Sequence, residues 1–431
     1  MRSRDFLSFK LLALIAIATV AAACLATTPA HSAEYQELLY VENPDGALLS
    51  YKIELDGALT VIGTLAGVAL PRRFEGPPAV SLVVQPGGRF AYSAGSSPTI
   101  KCYALDRDDG RLIANPTACT PPIAIGVPTM SPHGRVLYVG SYNEGVHPYA
   151  VDQTTGNLTK VERNSAPRTG GKLVLTQSGK FAYVVHYRAN NITSYRIDPD
   201  GSMQLVGGMK GVPTGDKPTD LVVDPGGSFA YAVNSWDDSI SEYFIDPGTG
   251  ALRINPKTPS IGTGSVPNAI VIDGGGKFLY CTNSNGSSIS QYRIESDGTL
   301  TSIGVTRAAG IGMEPIVTDP AGKLVYVQIN VGRNKTFLIG YRIAGDGSLV
   351  GPVPAPIPVI GDAPDFAPAT SWIGPKPTVQ IVKRDVTPLM RMKSSVAGTF
   401  TETGRMTPLG YMRSLGGTLL PDGRVFLPEQ D

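Results

Sequence analysis

The sequence predicts an all-β fold, a seven-bladed β-propeller with four strands in each blade. Three observations support this prediction: a repeat period of 46 to 52 residues, short runs rich in β-branched and aromatic residues, and four such runs in each repeat. A unit of this length buries its apolar face only against neighbouring copies, so the copies must pack side by side. The repeat is counted by a tyrosine in the same short phrase of each unit: Tyr51, Tyr103, Tyr149, Tyr195, Tyr243, Tyr292 and Tyr341.

The elements follow the same order in each repeat. An apolar run such as residues 221–223 comes first, and a tight turn of the Pro-Gly-Gly-Arg type, as at residues 86–89, follows it. The third run contains the counting tyrosine, and a Gly-x-Leu or Gly-x-Met phrase opens the fourth. The second run carries its own repeated tyrosine: Tyr40, Tyr92, Tyr138, Tyr183, Tyr231, Tyr280 and Tyr326.

The first repeat lacks its innermost strand, because it begins at Leu38 with what is the second strand of the other repeats. A strand from the C-terminal part of the chain must therefore close the ring and cover the open edge. Two segments are candidates: residues 364–370, where the next repeat is due, and residues 418–427, which reproduce the strand-turn-strand phrase. The first is preferred. The predicted domains are a propeller over residues 34–370 and a C-terminal extension over residues 371–431 of undefined structure, which could contribute to ring closure.

The N-terminus has the layout of a secretory signal peptide over residues 1–33. Basic residues precede an apolar run at residues 11–26, and small residues end at Ala33. We therefore expect export to the periplasm or the extracellular space. Cys24, which follows three alanines, leaves a lipoprotein signal as an alternative, and contact with a membrane is expected only if Cys24 is lipidated.

The balance of charged residues argues against nucleic acid as a partner. The chain has 37 Lys and Arg against 36 Asp and Glu, so no strong positive field favours nucleic acid. The length fits one propeller, which we expect to be a monomer. Cys102 and Cys119 lie seventeen residues apart and are candidates for a disulfide in an exported protein, whereas Cys281 is predicted to be a small buried residue.

The two faces of the predicted disc differ. Tight turns recur on one face, which is therefore scaffold, whereas the loops on the opposite face vary and are expected to carry any binding site. His186 and Arg188 are a candidate base and anion clamp, and the indole of Trp236 could stack on a sugar ring. The predicted ligand-binding residues are Tyr142, Asn143, Arg188, Asn234, Trp236, Asn268, Asn283 and Glu314.

No cofactor and no metal are expected. The sequence has no Gly-x-Ser-x-Gly elbow, no His-Glu-x-x-His, no Walker loop and no dinucleotide fingerprint. Only His133, His147 and His186 remain after removal of a signal peptide, which does not suffice for a centre of several histidines.

The repeats from about Leu38 to Val350 resemble the seven-bladed propeller lactonase family, which is 6-phosphogluconolactonase-like, and the related exported proteins with Tyr-Val-Thr-Asn repeats. The resemblance rests on the period, the Asp-Pro-x-Gly-Lys turns, the Tyr-x-Ile-Asp and Thr-Gly-x-Leu phrases and residues 139–143. It implies hydrolysis of a lactone, best known for 6-phosphogluconolactone.

The chain departs from the family at the positions that carry the reaction. Family enzymes usually have a Pro-Arg-His, a following Asn-Glu and a further basic residue, and the matching positions here are residues 218–220, 234–235 and 283–284, which lack the histidine, the glutamate and the basic residue. Asp220 is the residue that could replace the base, so Asp220 and His186 are the candidate catalytic residues.

Three functions follow as hypotheses. The preferred one is an exported propeller that binds a small carbohydrate or lactone, or a partner protein of the cell envelope, with a degenerate lactonase site. The second is a lactone hydrolase with a rebuilt site. The third is an interaction scaffold of the cell envelope, which draws on the extension from Trp372 to Asp431.

Overall fold

The computed structural model describes residues 35–353 except 43–47, 55, 66–79, 87, 96–99, 107, 115–127, 142–144, 162–171, 308–310, 320 and 331–335. Beyond residue 353 it describes six short strands: Ile357–Val359, Val379–Asp385, Met392–Ser394, Phe400–Glu402, Thr418–Leu419 and Val425–Phe426. The described residues form strands, turns and irregular segments, and none of them belongs to a helix. Accordingly, this part of the chain contains no helix that could cross a membrane.

Seven antiparallel sheets form a ring in the compact unit Gln36–Arg384, which confirms the predicted seven-bladed propeller. Blades are numbered in chain order, and their strands are given from the axis outwards. Blade 1 contains Val379–Asp385, Tyr35–Glu42, Leu48–Ile53 and Leu59–Leu65. Blade 2 contains Val80–Val84, Phe90–Gly95, Lys101–Leu105 and Leu112–Ala114, and blade 3 contains Pro128–Met130, Val136–Ser141, Gly145–Val151 and Leu158–Lys160.

The later blades follow the same plan. Blade 4 contains Lys172–Leu175, Phe181–His186, Asn191–Ile197 and Met203–Val206, and Val212–Pro213 also pairs with its third strand. Blade 5 contains Pro218–Val223, Phe229–Asn234, Ser239–Ile245 and Leu252–Ile254, with Ser260–Gly262 beside its third strand. Blade 6 contains Pro267–Ile272, Phe278–Asn283, Ser288–Ile294 and Leu300–Arg307. Blade 7 contains Ile311–Thr318, Leu324–Asn330, Thr336–Ile343 and Leu349–Val350, with Ile357–Val359 beside its third strand.

A C-terminal strand closes blade 1, as the sequence predicts, but it is neither of the two candidate segments. Val379–Asp385 is hydrogen-bonded to Tyr35–Glu42 and so fills the innermost position. Of the earlier candidates, residues 364–370 lie outside the described residues, and Thr418–Leu419 pairs with Val425–Phe426 instead. The preference for residues 364–370 was therefore wrong, and the closing strand lies beyond residue 370, where the propeller was expected to end.

The apolar core is divided among the interfaces between blades. Seven clusters of buried apolar side chains occur in the described residues, and each joins two neighbouring blades. One of them joins blade 4 to blade 5 and includes Tyr183 and Leu221. Another joins blade 7 to blade 1 through Leu338 and Leu39, so the ring is closed by packing as well as by the donated strand.

A hydrogen bond between neighbouring blades explains two of the sequence repeats. The second-strand tyrosine of each blade donates its hydroxyl hydrogen to the carbonyl oxygen of the glycine before the fourth strand of the next blade. The seven bonds are 2.6 to 3.0 Å long and join Tyr40 to Gly110, Tyr92 to Gly156, Tyr138 to Gly201, Tyr183 to Gly250, Tyr231 to Gly298, Tyr280 to Gly347 and Tyr326 to Gly57.

Glycine is required on the accepting side of this bond for two reasons. At Gly250 the backbone φ is 75°, a value that residues other than glycine rarely adopt. A Cβ atom there would also lie 2.3 Å from a ring carbon of Phe181 in blade 4, which is shorter than any real contact. The repeated glycine and tyrosine are therefore parts of one contact between blades.

The repeated tight turns are held by their aspartates. In blade 5 the Oδ1 atom of Asp224 accepts hydrogen bonds from the backbone N–H groups of Ser228 and Phe229, at 2.7 and 2.6 Å. In the turn before the fourth strand, Asp246 accepts from the N–H groups of Gly248 and Thr249, at 3.1 and 2.8 Å. These carboxylates complete the turns, which agrees with the interpretation of that face as scaffold.

The second compact unit comprises Met1–Tyr35 and Asp385–Asp431. Its described part includes two short antiparallel ladders, Met392–Ser394 with Phe400–Glu402 and Thr418–Leu419 with Val425–Phe426. Residues 1–33, on which the predicted signal peptide and Cys24 fall, lie outside the described residues.

Candidate functional site

The predicted site residues whose side chains the structure describes lie in or next to the strands of blades 4, 5 and 6. Tyr142 and Asn143 lie outside the described residues, as does Cys119. Glu314 falls on the strand Ile311–Thr318, and its side chain is outside the described part. Cys102 is disulfide-bonded and buried, while Cys281 is buried and its thiol donates to the carbonyl oxygen of Thr282 at 3.8 Å.

Three side chains form what we call the aromatic platform: Tyr187, Lys217 and Trp236. The Lys217 ammonium lies 5.3 Å from the centre of the Tyr187 ring and 5.5 Å from that of Trp236, within the range of cation–π attraction. The Trp236 side chain is 62% exposed. Tyr187 follows the second strand of blade 4, Trp236 follows that of blade 5, and Lys217 precedes the innermost strand of blade 5, so two blades build the platform.

The backbone beneath Lys217 has an unusual conformation. Its φ is 54° although it precedes Pro218, a position that favours extended conformations. The Lys217 N–H donates to Asn190 Oδ1 at 3.0 Å, and its carbonyl oxygen accepts from the N–H of Ser235 at 3.0 Å. Val266, which precedes Pro267 in blade 6, has the same φ of 54°. The conformation is therefore part of the repeated frame, whereas the lysine side chain is particular to blade 5.

Two aspartates tie the loops of the platform together. Asp216 accepts from the side-chain amide of Asn190 at 2.8 Å, and its own N–H donates to Asp237 Oδ2 at 2.5 Å. The Trp236 N–H donates to the carbonyl oxygen of Asp216 at 3.3 Å. These bonds connect the blade 4 loop, the connection between blades and the blade 5 loop, so the three segments that carry the platform residues are tied to one another.

Arg188 lies at the edge of the platform. Its side chain is exposed, and its charge acts on the neighbouring Tyr187 phenol. The pKa of Tyr187 is raised by burial and by the charge of Asp216, and Arg188 opposes this rise. Two cations thus lie near the Tyr187 ring: Lys217, which belongs to the platform and also contacts the exposed indole, and Arg188, which follows Tyr187 in the chain. This combination can stack a ring and donate hydrogen bonds to the ring's oxygen atoms.

His186 is closed off from the loop face. It ends the second strand of blade 4, is 4% exposed, and its Nε2 lies 2.8 Å from Thr193 Oγ1. The Thr193 hydroxyl donates to the Tyr195 oxygen at 3.3 Å, so its own oxygen is left to accept the Nε2 hydrogen. Burial lowers the pKa of His186 to about 4, and the imidazole is therefore neutral at pH 7.

Asn234 and Asn283 occupy the position of His186 in blades 5 and 6, as the strand pairings show. Both are 0% exposed. The Asn234 amide donates to Ser239 and Ser241 at 3.0 and 2.8 Å, and Asn283 makes the equivalent bonds at 3.1 and 2.9 Å to two serines of the next strand. Both asparagines therefore join two strands within a blade. Asn268 is half-buried, and its carbonyl oxygen accepts from the Thr219 hydroxyl at 3.0 Å.

Asp220 joins three blades. It is 5% exposed, and its Oδ1 atom contacts the Lys172 ammonium of blade 4 at 2.5 Å and the N–H of Leu221 at 2.7 Å. Its Oδ2 atom accepts from the N–H of Ile270 in blade 6 at 3.3 Å. A β-bulge between Pro218 and Asp220 directs the strand at this point. The carboxylate is thus already occupied by an ammonium and two amides.

Of the predicted site residues, Trp236 belongs to the platform and Arg188 follows Tyr187 in the chain, whereas the two candidate bases, His186 and Asp220, are buried. Sequence reasoning did not single out Lys217 and Tyr187 as ligand contacts. A signal was present, since Lys217 stands directly before Pro218 in one repeat only. Its importance depends on an aromatic ring from each of two blades, and the sequence does not reveal that proximity. Within the described residues there is no group of three or more His, Cys, Asp or Glu that could hold a metal ion.

Comparison with known proteins agrees with this architecture. Residues 164–266, which cover blades 4 and 5, match the family model "Lactonase, 7-bladed beta-propeller". The resemblance predicted from the repeats is therefore confirmed. No curated protein matches the chain.

Solved structures share the fold at low sequence identity. A Bacteroides uniformis protein assigned as a 6-phosphogluconolactonase is 19% identical with a TM-score of 0.61, over 81% of this chain and 100% of that one. A Bacteroides fragilis protein with the same assignment is 18% identical with a TM-score of 0.59, over 81% and 99%. The periplasmic gluconolactonase of Pseudomonas aeruginosa is 17% identical with a TM-score of 0.59, over 81% and 99%.

Proposed function

We propose that this chain, which resembles the seven-bladed propeller lactonases, is an exported binding protein that holds a small carbohydrate or lactone on the aromatic platform. One observation carries the proposal: the Lys217 ammonium lies within 5.5 Å of two aromatic rings from different blades, and one of these rings, Trp236, is 62% exposed. Together, the exposed indole and the ammonium offer a flat apolar surface beside a hydrogen-bond donor, which is the combination that a sugar or lactone ring can use.

The chemistry of the platform suits a ring rich in oxygen atoms. The flat indole offers a large apolar surface for the C–H face of a sugar or lactone ring. Lys217 and Arg188 provide N–H donors for ring oxygens, for a lactone carbonyl or for the carboxylate of an opened lactone. The bonds of Asp216 to Asn190 and Asp237 support the proposal because a platform that is already ordered loses less entropy when it binds.

Binding without hydrolysis is favoured over catalysis by the state of the two candidate bases. A general base must reach the proton that it removes, directly or through one water. Asp220 is occupied by Lys172, Leu221 and Ile270, and His186 is buried against Thr193. Neither carries the exposed lone pair that activation of water requires.

A lactone hydrolase is the second candidate, and the position of Asp220 favours it. Asp220 stands where the family's Pro-Arg-His would place its histidine, and a flexible lysine holds it, with a side chain that is 46% exposed. A substrate that drew the Lys172 ammonium away would free Oδ1. In that case Asp220→Asn would lower turnover by on the order of a hundredfold.

The proposed binding site has a matched control in the next blade. Asn285 of blade 6 is the counterpart of Trp236. The backbone N–H of Trp236 donates to the carbonyl oxygen of Asp216 at 3.3 Å, and that of Asn285 donates to the carbonyl oxygen of Ser265 at 3.3 Å. Both acceptors lie just before the innermost strand of their own blade. Trp236→Ala should weaken binding of the best ligand from a panel of sugars, aldonic acids and lactones by roughly tenfold or more, because stacking on an aromatic ring contributes about 1–2 kcal/mol. Asn285→Ala should bind like the wild type in the same calorimetric titration.

The same titration separates the candidates. Heat from binding without product in the lactone samples supports the binding protein, and product formation that Asp220→Asn abolishes supports the hydrolase. Equal affinity in Trp236→Ala and the wild type would place the site elsewhere on the molecule.

A further inference from the structure

Blade 5 contains a buried acid that the aromatic platform does not use. Glu242 lies in the third strand, Ser239–Ile245, opposite Tyr231. Paired residues of neighbouring antiparallel strands share a face, and Tyr231 packs in the cluster between blades 5 and 6. Glu242 therefore points to blade 6. It is 0% exposed.

The Glu242 carboxyl group holds the chain segment that leaves blade 5. Its Oε2 atom accepts from the Thr258 hydroxyl at 2.8 Å and from the Asn255 amide at 3.4 Å. The backbone of Glu242 binds the same segment. Its carbonyl oxygen accepts from the backbone N–H of Asn255 at 2.8 Å, and its N–H donates to the carbonyl oxygen of Pro259 at 3.1 Å. The Oε1 atom is buried and has no hydrogen-bond partner among the described groups.

Blade 6 shows what a neutral side chain does at this position. Gln291, opposite Tyr280, is the counterpart of Glu242. Its Nε2 donates to Thr306 Oγ1 at 2.7 Å, and its Oε1 accepts from the N–H of Leu349 in blade 7 at 3.0 Å. Both ends of the amide are satisfied. The frame thus accommodates an uncharged side chain, and an acid stands in its place in blade 5.

The charges around Glu242 do not favour its ionised form. The Tyr231 phenol beside it is buried, and Asp297 of blade 6 opposes a second negative charge. Lys257, a cation of the same connecting segment, is engaged by Asp297 over 2.8 Å. Burial raises the pKa of Glu242 to about 7, and the hydrogen bonds from Thr258 and Asn255, together with the nearby backbone N–H of Leu300, only partly offset this.

We propose that Glu242 is a pH-sensitive latch between blade 5 and the segment Asn255–Pro259, closed while the carboxyl group carries its proton and loosened when the group ionises. An ionised carboxylate with one unpaired oxygen is strongly disfavoured in a buried interface. It must therefore draw in water, which requires the segment to move. The latch opens as the pH rises through neutrality.

The sign of the effect follows from proton linkage. The pKa is raised above the ordinary glutamate value of 4.5, so the folded protein binds this proton more tightly than the unfolded chain. The stabilisation is complete below pH 4.5 and is lost as the pH rises through about 7. Asp297 does not titrate within this window, because the hydrogen bond from the Lys257 ammonium holds the pKa of its carboxyl group far below the usual value.

The decisive variant is Glu242→Gln, measured as melting temperature between pH 5 and pH 8.5. The variant should match the wild type at pH 5 and melt several degrees higher at pH 8.5. Glu295→Gln, at a partly exposed position of blade 6, should follow the wild-type curve throughout. Gln291→Glu should introduce the same fall of stability with pH into blade 6.

Hydrogen exchange tests whether the effect is local. Between pH 6 and pH 8, and after correction for the intrinsic rate, exchange of the Asn255 amide should accelerate in the wild type and stay constant in Glu242→Gln. Parallel melting curves of Glu242→Gln and the wild type would overturn the proposal. So would a variant that melts higher at pH 8.5 while its Asn255 amide still accelerates.

Discussion

At the scale of single residues, His186 shows how one repeated position can carry different chemistry. Blades 5 and 6 place an asparagine there, and its amide joins two serines of the next strand. Blade 4 has His186 there. Its Nε2 atom bonds to the Thr193 hydroxyl, and its Nδ1 atom has no partner among the described groups. The histidine is therefore tolerated only in its neutral form.

This burial predicts a dependence of stability on pH. The pKa of His186 is lowered from 6.5 to about 4, so between these values the unfolded chain binds a proton that the folded protein does not. The group destabilises the fold as the pH falls through this window, by up to about 1.4 kcal/mol per pH unit. His186→Asn, which copies blades 5 and 6, should therefore gain stability relative to the wild type as the pH falls from 6.5 to 4. Chemical denaturation at several pH values measures this difference.

Comparison of the two proteins at each pH cancels the titration of other groups. Glu242 acts with the opposite sign between pH 4.5 and about 7, and it is present in both. A difference that did not change with pH would show that His186 is protonated equally in the folded and unfolded states.

Among the elements, the turn before the fourth strand is the most demanding part of each blade. It provides the glycine carbonyl that accepts the tyrosine hydroxyl of the preceding blade. In blade 5 the turn contains Gly248 and Gly250, which differ in environment. Gly250 has a φ of 75° and packs against Phe181, whereas a Cβ atom at Gly248 would meet only Asp246 Oδ1, at 3.5 Å.

These two glycines form a matched pair for mutation. Gly250→Ala should lower the free energy of unfolding by about 2–4 kcal/mol, because it combines backbone strain with a steric clash between blades. Gly248→Ala should change it by less than about 1 kcal/mol. Urea denaturation of both variants measures the contrast, and equal effects would mean that the contact between blades is not what requires glycine at Gly250.

The strands were predictable because each repeat marks them. Tyr231 in the second strand and Tyr243 in the third recur in register, and turn residues bound both strands. The direction of individual side chains was harder to predict. Asn234 follows a strand as a loop residue would, yet its amide turns inwards to Ser241, seven residues ahead in the next strand. Only the pairing of the strands reveals that contact.

For the whole molecule, the sequence predicts that a C-terminal strand closes the ring, but it does not reveal which segment forms that strand. The first repeat begins without an innermost strand, so a later segment had to supply it. Val379–Asp385 does so, but it has no Pro-Gly turn and no tyrosine that would mark it as part of a blade. The strand that it pairs with, Tyr35–Glu42, lies near the other end of the chain, so no tight turn joins the two strands and the usual strand-turn-strand phrase is not needed there.

The ring also explains why the platform lies where it does. Tyrosine bonds and apolar clusters hold all seven interfaces in the same way, and the tight turns occupy one face. The opposite face is free to vary, and two adjacent blades bring Tyr187, Lys217 and Trp236 together there. Such a site could not be read from one repeat, because each blade contributes only part of it.

The most direct test of the proposed function is the fluorescence of Trp236 during ligand titration. The chain has two tryptophans, so Trp372→Phe leaves Trp236 as the only indole that emits. We predict a saturable change in its emission with at least one sugar, aldonic acid or lactone, and no change when Lys217→Ala is added. A ligand that binds in calorimetry without altering the emission of Trp236 would contradict the account, as would a panel in which no sugar, acid or lactone binds at all.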